Sequence, residues 1–248
     1  MKTEFTIATW NIAGGRPVQS EELFDYAKED IGYFANQLQD INPDIICLQE
    51  SHLNETRSVA KEIAQFLGCA YVAEDGISPS HVDSAYQLSN AVISKQKWNH
   101  VEDYLYPYPE FPLVLPDGRP AVIYNKGFQV LHFDEISVMN TQMMPLRFLG
   151  TPYDSENGVS FAKKMEEDIL AFAMPPSCIL CGDFNYDKAT ELYSCMLRGM
   201  KSALPEGPTR PGGKKTDYIF VPESCKVIAN GIVPTNTDHY LCWAKLSI

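Results

Sequence analysis

Asp183 and Asn185 stand two positions apart at the end of the apolar run Cys178-Ile179-Leu180-Cys181. A strand points residues i and i+2 the same way, so this carboxylate and carboxamide can face one ligand while Phe184 turns back into the core. Such a pair suits a hard cation or a phosphate oxygen. Asp and Asn are also turn formers and helix caps, so the pair alone decides little. The pattern recurs, however. Asn11, Glu50, Asp217 and the pair Asp238-His239 also lie at the ends of apolar runs. Several negative charges converging on one sheet edge are costly unless a divalent cation or a shared proton offsets them. Oxygen donors without thiolate select Mg²⁺, Mn²⁺ or Ca²⁺ over zinc.

The elements that must position these residues follow from hydrophobic spacing. Residues 5–10 alternate with β-branched and aromatic side chains and break at Gly14-Gly15, a strand entering a loop. Helical spacing of Leu23, Phe24, Ile31, Phe34, Ala35 and Leu38 predicts a helix over 20–40 capped by Ser20, stopped by Asn42-Pro43. The buried run 45–48 leads to Glu50, and an amphipathic helix over 54–67 closes at Gly68. Strands are expected near 70–73, 89–94, 121–125, 128–133 and 136–141, with a hairpin signal at Asn125-Lys126-Gly127. The proline-rich stretch 107–120 reads as an ordered surface loop or edge insertion. Residues 142–158 form a loop that is apolar for its kind, with Met143, Met144, Leu146 and Phe148, and a lid is one reading. A helix capped by Ser160 runs to about 173, a short one covers 189–197, and strands close the chain near 217–221, 226–232 and 240–246. Strands and helices interleave twice, which suggests two βα halves packed face to face.

Composition narrows the partners. Asp and Glu outnumber Lys and Arg 32 to 20, for a formal charge of −12, so the molecule repels polyanions as a whole. With six arginines in the chain, a long grip on duplex nucleic acid is disfavoured. A small substrate, a short one, or one whose charge a metal handles fits better. The seven cysteines sit mostly in apolar runs and read as buried free thiols; Cys178-x-x-Cys181 has no second pair at zinc spacing. No apolar run has transmembrane length and no leader opens the sequence, so a cytoplasmic monomer is expected.

Six motifs now fall into order: Thr9-Trp10-Asn11-Ile12-Ala13-Gly14, Leu48-Gln49-Glu50, Ser89-Asn90-Ala91-Val92-Ile93-Ser94, Gly182-Asp183-Phe184-Asn185, Thr216-Asp217-Tyr218-Ile219-Phe220 and Thr237-Asp238-His239. Together they resemble the motifs of the endonuclease/exonuclease/phosphatase, or DNase I-like, superfamily. Its members include nucleases, AP endonucleases, neutral sphingomyelinases and inositol polyphosphate phosphatases. The resemblance implies one domain over 1–248, an α/β fold built as a four-layer α/β/β/α sandwich of two mixed, mostly antiparallel sheets with helices outside. It also implies phosphoester hydrolysis by in-line water attack with Mg²⁺ or Mn²⁺. Residue by residue, Glu50, Asn11 and Asp238 are the implied metal contacts. Asp183 and Asn185 would place the water and bind a phosphate oxygen, and His239 would be the catalytic histidine oriented by Asp217. Asn90 would support the phosphate, with Arg147 and Arg210 as further phosphate-binding cations.

One departure stands out. Many members carry a histidine where this chain has Gln142. Gln142 then either donates a neutral hydrogen bond to the phosphate in place of imidazolium, or marks a non-catalytic relative. His132 and His52 are the candidates for spatial compensation. The implied substrate is first a nucleic acid or DNA end, and alternatively a small-molecule or lipid phosphate. For the latter, 143–148 and the aromatics Tyr104, Tyr106, Tyr108 and Phe111 could supply contacts, although these rings could equally stack bases.

Overall fold

A computed structural model describes residues 4–20, 25–115, 118–122, 124–146, 150–172 and 177–248. Strand β1 (Glu4–Asn11) is followed by helix α1 (Ile31–Ile41), β2 (Ile45–Leu53), α2 (Val59–Leu67), β3 (Tyr71–Pro79) and β4 (Gln87–Ser94). Next come β5 (His100–Leu105), β6 (Gly127–His132), β7 (Ser137–Gln142), α3 (Glu156–Ala171) and β8 (Cys178–Asp183). The chain closes with α4 (Ala189–Leu192), β9 (Met200–Ser202), β10 (Asp217–Pro222), β11 (Lys226–Val233) and β12 (Leu241–Ser247). Two six-stranded sheets result, ordered β11-β12-β1-β2-β4-β3 and β5-β6-β7-β8-β10-β9. In each, the third and fourth strands form the parallel pair, and the crossovers that parallel pairing requires carry α1 and α3.

The period of two sorts the side chains into layers. Ile7, Cys47, Val92, Val138, Ile179, Cys181 and Ile219 fill the space between the sheets. Their neighbours along the same strands face outward: Ala8, Trp10, Ile46 and Leu48 pack on Phe34, Leu38 and Ile63 of the first two helices. Leu180 and Phe220 pack instead with Phe161, Met165 and Ile169 of α3. The expected α/β/β/α sandwich is therefore present.

Several boundaries differ from expectation. The first helix starts after Asp30, whose side chain accepts from Tyr33 N. Ser20 does not cap it, because its hydroxyl donates to Asp25; Gln19 N bonds Asp25 O, Ala27 N bonds Pro17 O and Asp30 N bonds Gly15 O ahead of the helix. Leu23 and Phe24 lie outside the described residues. Likewise α2 starts at Val59 behind its cap Ser58, not at residue 54, and Ser155, not Ser160, caps α3. The short helix ends at Leu192. Of the expected strand 121–125, the described residues 121, 122, 124 and 125 lie in no strand. Ala121 N bonds Leu113 O of the proline-rich segment, and Tyr106 N bonds Lys126 O. The hairpin partner of β6 is β5, whose polar His100, Glu102 and Asp103 hide its period, and 106–126 is their connection.

The 142–158 loop is no free lid in its described part. Met143, Met144 and Leu146 are buried in the outer core; Phe148 lies outside the described residues. Tyr104, Tyr106 and Phe111 pack on Phe128 and Phe161, which leaves Tyr108 as the exposed ring of that set.

Candidate active site

Register brings the motif residues to one edge of the sandwich. Gln142 pairs with Asp183 across β7 and β8, and Asp183 pairs with Asp217 across β8 and β10, so three neighbouring strands present one row. The facing sheet delivers Asn11 beside Gln49. Behind the edge, a buried polar clamp joins the sheets. Gln49 Nε2 donates to Thr9 Oγ1 at 3.0 Å and to Asn140 Oδ1 at 2.6 Å, and Asn140 Nδ2 donates to Leu48 O and Ala91 O. Left-handed backbone at Ala13 (φ 44°), Glu50 (φ 56°) and Asn185 (φ 52°) falls at the same edge, a local strain that the surrounding packing must hold. Glu50 sits in the irregularity of the β2–β4 pairing, between Leu48 and Ser51, and this turns its side chain into the site.

One corner is a hydrogen-bonded relay. His239 Nδ1 lies 2.9 Å from Asp217 Oδ1, and Asp217 Oδ2 also accepts from Thr209 Oγ1 at 2.7 Å and Thr216 Oγ1 at 3.0 Å. The other ring nitrogen, Nε2, lies 3.7 Å from Asp183 Oδ2. Burial works against a charged imidazole here, but Asp217 above all, with Asp183, pushes His239 up to about 9. Trp10 explains its place in the first motif: its buried indole N–H donates to the His239 backbone carbonyl at 2.9 Å. Asp183 is buried, and burial followed by the charge of Asp217 raises its carboxyl above the usual range, against His239 and Arg210. Asn11 Nδ2 at 3.2 Å and the Asn185 backbone N–H at 2.9 Å hold its two oxygens.

The opposite corner contains a residue the sequence reading missed. Lys126 Nζ lies 3.0 Å from Glu50 Oε1 and 2.7 Å from Gln142 Oε1, and its side chain is buried. Gln142 turns its Nε2 to Glu50 Oε1 at 2.6 Å and, at a long 3.5 Å, to Asp183 Oδ2. Burial opposes ionisation of Glu50, but Lys126, His81 and Gln142 overcome it and hold the carboxyl far below the usual range. Lys126 was hidden because Asn125-Lys126-Gly127 resembled turn chemistry. His81, with Nε2 3.8 Å from Glu50 Oε2, and Tyr26, whose hydroxyl donates to Asp238 Oδ2 at 3.1 Å, come from loops without periodicity.

The donor chemistry fits a hard divalent cation. Asp183, Asp217 and His239 offer ligand atoms within 4.8 Å of one another. The two oxygens of Asp217 are, however, already committed to His239, Thr209 and Thr216, so a cation inside that trio would have to displace the relay. Asp238 Oδ1 is buried without a hydrogen-bond partner, and Asp238 shares the pocket with Glu50, Asn11 and Asp183. A buried carboxylate oxygen left unsatisfied among oxygen donors is what a Mg²⁺ or Mn²⁺ site requires. Asn11 contributes mainly by orienting Asp183, since its Oδ1 accepts the Ala13 N–H at 3.2 Å.

Arg210 joins the site, its Nε donating to Asp238 O at 3.1 Å. Asn90 is set back from the pocket; its Nδ2 donates to Gly127 O at 3.0 Å and so supports the segment carrying Lys126. Arg147 lies outside the described residues. His132 sits at the far end of β6, bonded to Ser137 and Glu102, and His52 is buried on Ser80 and Tyr86, so neither substitutes for an imidazole at position 142. The resulting pocket of about 280 Å³ has a polar floor and an apolar wall of Leu115, Val122, Tyr124, Met144 and Pro145. A second cavity of about 440 Å³, lined by Tyr186, Lys188 and Lys214, shares Asn185 and Arg210 with it.

Solved structures share this fold. A structure from Beutenbergia cavernae DSM 12333, an endonuclease/exonuclease/phosphatase, superposes with a TM-score of 0.74 at 16% identity, covering 99% of this chain and 72% of that one. A mannosyl-6-phosphatase of Bacteroides thetaiotaomicron VPI-5482 gives 0.66 at 16% identity over 98% and 99% of the two chains. A 3′ phosphatase from Neisseria, bound to a product DNA hairpin, gives 0.62 at 18% over 97% and 98%. Likeness at these identities shows the fold alone. No curated protein sequence matches the chain. The sequence profile of the Endonuclease/Exonuclease/phosphatase family, whose members are generally hydrolases of phosphate esters, matches residues 8–239, and the chain belongs to that family.

Proposed function

We propose that this chain is a Mg²⁺- or Mn²⁺-dependent phosphoester hydrolase that attacks phosphorus in line with water, on a small substrate. The observation that carries this reading is the Asp183–His239–Asp217 relay at the floor of the roughly 280 Å³ cavity. Bound at the oxygen donors Glu50 and Asp238, with Asn11 and Asp183 beside them, the divalent ion would supply charge neutralisation at the phosphate.

The protein's own residues account for the remaining roles. Asp183 accepts the proton of the attacking water, a task helped by a carboxyl held above its usual range. His239, kept protonated at neutral pH by Asp217, stabilises the charge that develops on the phosphate oxygens. Asn185 would bind a further oxygen through the second hydrogen of its Nδ2, whose first goes to Met143 O at 2.9 Å; support comes from its position in the pocket lining. Leu115, Val122 and Tyr124 would lie along the alcohol portion of the ester.

The pocket's apolar wall and the net charge of −12 favour a small-molecule phosphate ester. A nucleic-acid end is the second reading, favoured by the adjoining cavity with Tyr186, Lys188 and Lys214, which could take a base and phosphates. The mannosyl-6-phosphatase and the 3′ phosphatase of like fold act on these two kinds of substrate. One domain over 1–248, acting as a cytoplasmic monomer, belongs to the same proposal. The seven free thiols, six of them at least partly buried, support its cytoplasmic part. Among the described residues no helix is long and apolar enough to cross a membrane.

The test is hydrolysis of sugar phosphates, inositol phosphates, an aryl phosphodiester, sphingomyelin, single-stranded oligonucleotide and plasmid, each with Mg²⁺, with Mn²⁺ and with chelator. Turnover of a small ester that chelator abolishes is expected. Plasmid cleavage as the dominant activity would overturn the small-substrate reading. No turnover of any member would overturn the enzyme.

A further inference from the structure

We propose that Lys126 is the resident phosphate-binding cation of this site, its ammonium contacting a non-bridging oxygen of the bound ester. The inference rests on the hydrolase reading for its substrate and on geometry for everything else. Three carboxylates, Glu50, Asp183 and Asp238, line the pocket, with Asp217 buried behind His239, and a phosphate entering there needs fixed positive charge. Two other cations sit on the far side of the pocket from Glu50, with Asp238 and Asp217. Arg210 is drawn to Asp238 through its Nε and, at 3.8 Å, its Nη2, and His239 is held by Asp217.

Lys126 differs from both. An ammonium carries three donors, and among the described residues Nζ has two partners, Glu50 Oε1 and Gln142 Oε1. The third N–H belongs to a side chain that lines the pocket. Its backbone is fixed rather than draped. Tyr106 N donates to Lys126 O at 2.9 Å, and Asn90 Nδ2 and Thr141 Oγ1 bond Gly127 O at 3.0 and 3.3 Å. A Cβ on Gly127 would stand 2.0 Å from Tyr104 O, so glycine is what lets β5 and β6 approach and set Lys126 in place.

Gln142 is the second half of the device. Its carbonyl oxygen faces the ammonium while its amide hydrogens face Glu50 and Asp183, so a neutral side chain locks the cation at the position where an imidazole would compete with it. Positive charge is thus supplied by an insertion residue, with Gln142 as its positioning residue.

The experiment is titration of the wild type, Lys126→Met, Lys126→Gln and Lys126→Arg with inorganic phosphate by calorimetry. Mn²⁺ affinity and Tm are measured alongside, without any turnover. Phosphate affinity should fall about tenfold or more in both neutral variants and recover in large part in Lys126→Arg, while Mn²⁺ stoichiometry stays unchanged. Lys126→Gln keeps a donor for Glu50, so it reports even if Lys126→Met does not fold. Unchanged phosphate affinity in a neutral variant, or no phosphate binding by the wild type, would overturn the proposal. Loss of Mn²⁺ affinity with phosphate binding intact would also overturn it, making Lys126 a spacer for Glu50. None of these readouts depends on whether the enzyme turns over, so a failed hydrolase assay is a separate result.

Discussion

The two corners of the pocket carry similar charges but are built differently. At the Asp183 corner the central groups come from strand ends or their flanks and are fixed by short-range geometry: Asp217 beside Asp183 in register, His239 on Asp217, Trp10 under the His239 carbonyl. At the Glu50 corner the carboxylate sits in left-handed backbone, and its partners Lys126 and His81 arrive from connections between strands. The first corner is set by the sheet, so it changes little without unfolding the edge. The second depends on loops that can be lengthened or replaced, and it is where substrate preference can diverge while the chemistry is kept.

Substitutions can separate these corners. The largest effect is expected at the sheet-built corner: His239→Gln should lower kcat on the order of 10³-fold with little change in KM, because it removes charge that acts in the transition state. Asp217→Asn should cost on the order of 10²-fold, since the imidazole loses both its orientation and the charge that keeps it protonated. At the loop-built corner, Gln142→Leu should cost about tenfold. Combined with Lys126→Met it should lose little more than the worse single variant, as expected for residues acting as one unit. Additive losses would show that the pair is no unit.

Raising salt from about 50 to about 200 mM should leave hydrolysis of a small ester nearly unchanged, whereas a steep fall would favour a polyanionic substrate. The smallest effect concerns stability. Burial holds the His52 imidazole neutral, its pKa lowered from 6.5 to about 4. Between those values the unfolded chain binds the extra proton, so Tm should fall as pH drops through that window and level off below it. His52→Gln, which can still reach Ser80, should show a smaller fall over the same range, and an equal fall would remove His52 from the account.

The same division explains what could be read from the sequence. Runs such as 45–48 and 178–181 declare buried strands, and the ends of apolar runs declare Asn11, Glu50 and Asp183, although β2 continues past Glu50 to Leu53 and Asp217 opens β10. Six motifs in order were enough for the family and its sandwich. What was illegible lies in 106–126. Its prolines and the polar face of β5 obscure any period, and Lys126 looks like the centre of a turn until Tyr106 and Asn90 are seen to hold it. Likewise Ser20 carries a cap signature, but long-range bonds from Gly15 and Pro17 delay the helix to Asp30. Asn90, a phosphate contact by its motif, lies off the pocket lining with its Nδ2 on Gly127 O.

The most direct test of the sheet-built corner is steady-state hydrolysis of a generic aryl phosphodiester by the wild type and by Asp183→Asn, with Mn²⁺ saturating for both. The substitution keeps the size of the side chain and removes the proton acceptor. Measurable turnover by the wild type and a loss on the order of 10³-fold in kcat, with Tm preserved, is the predicted result. Equal rates from the two proteins would contradict the account, because the carboxylate at the centre of the row would then take no part in the reaction.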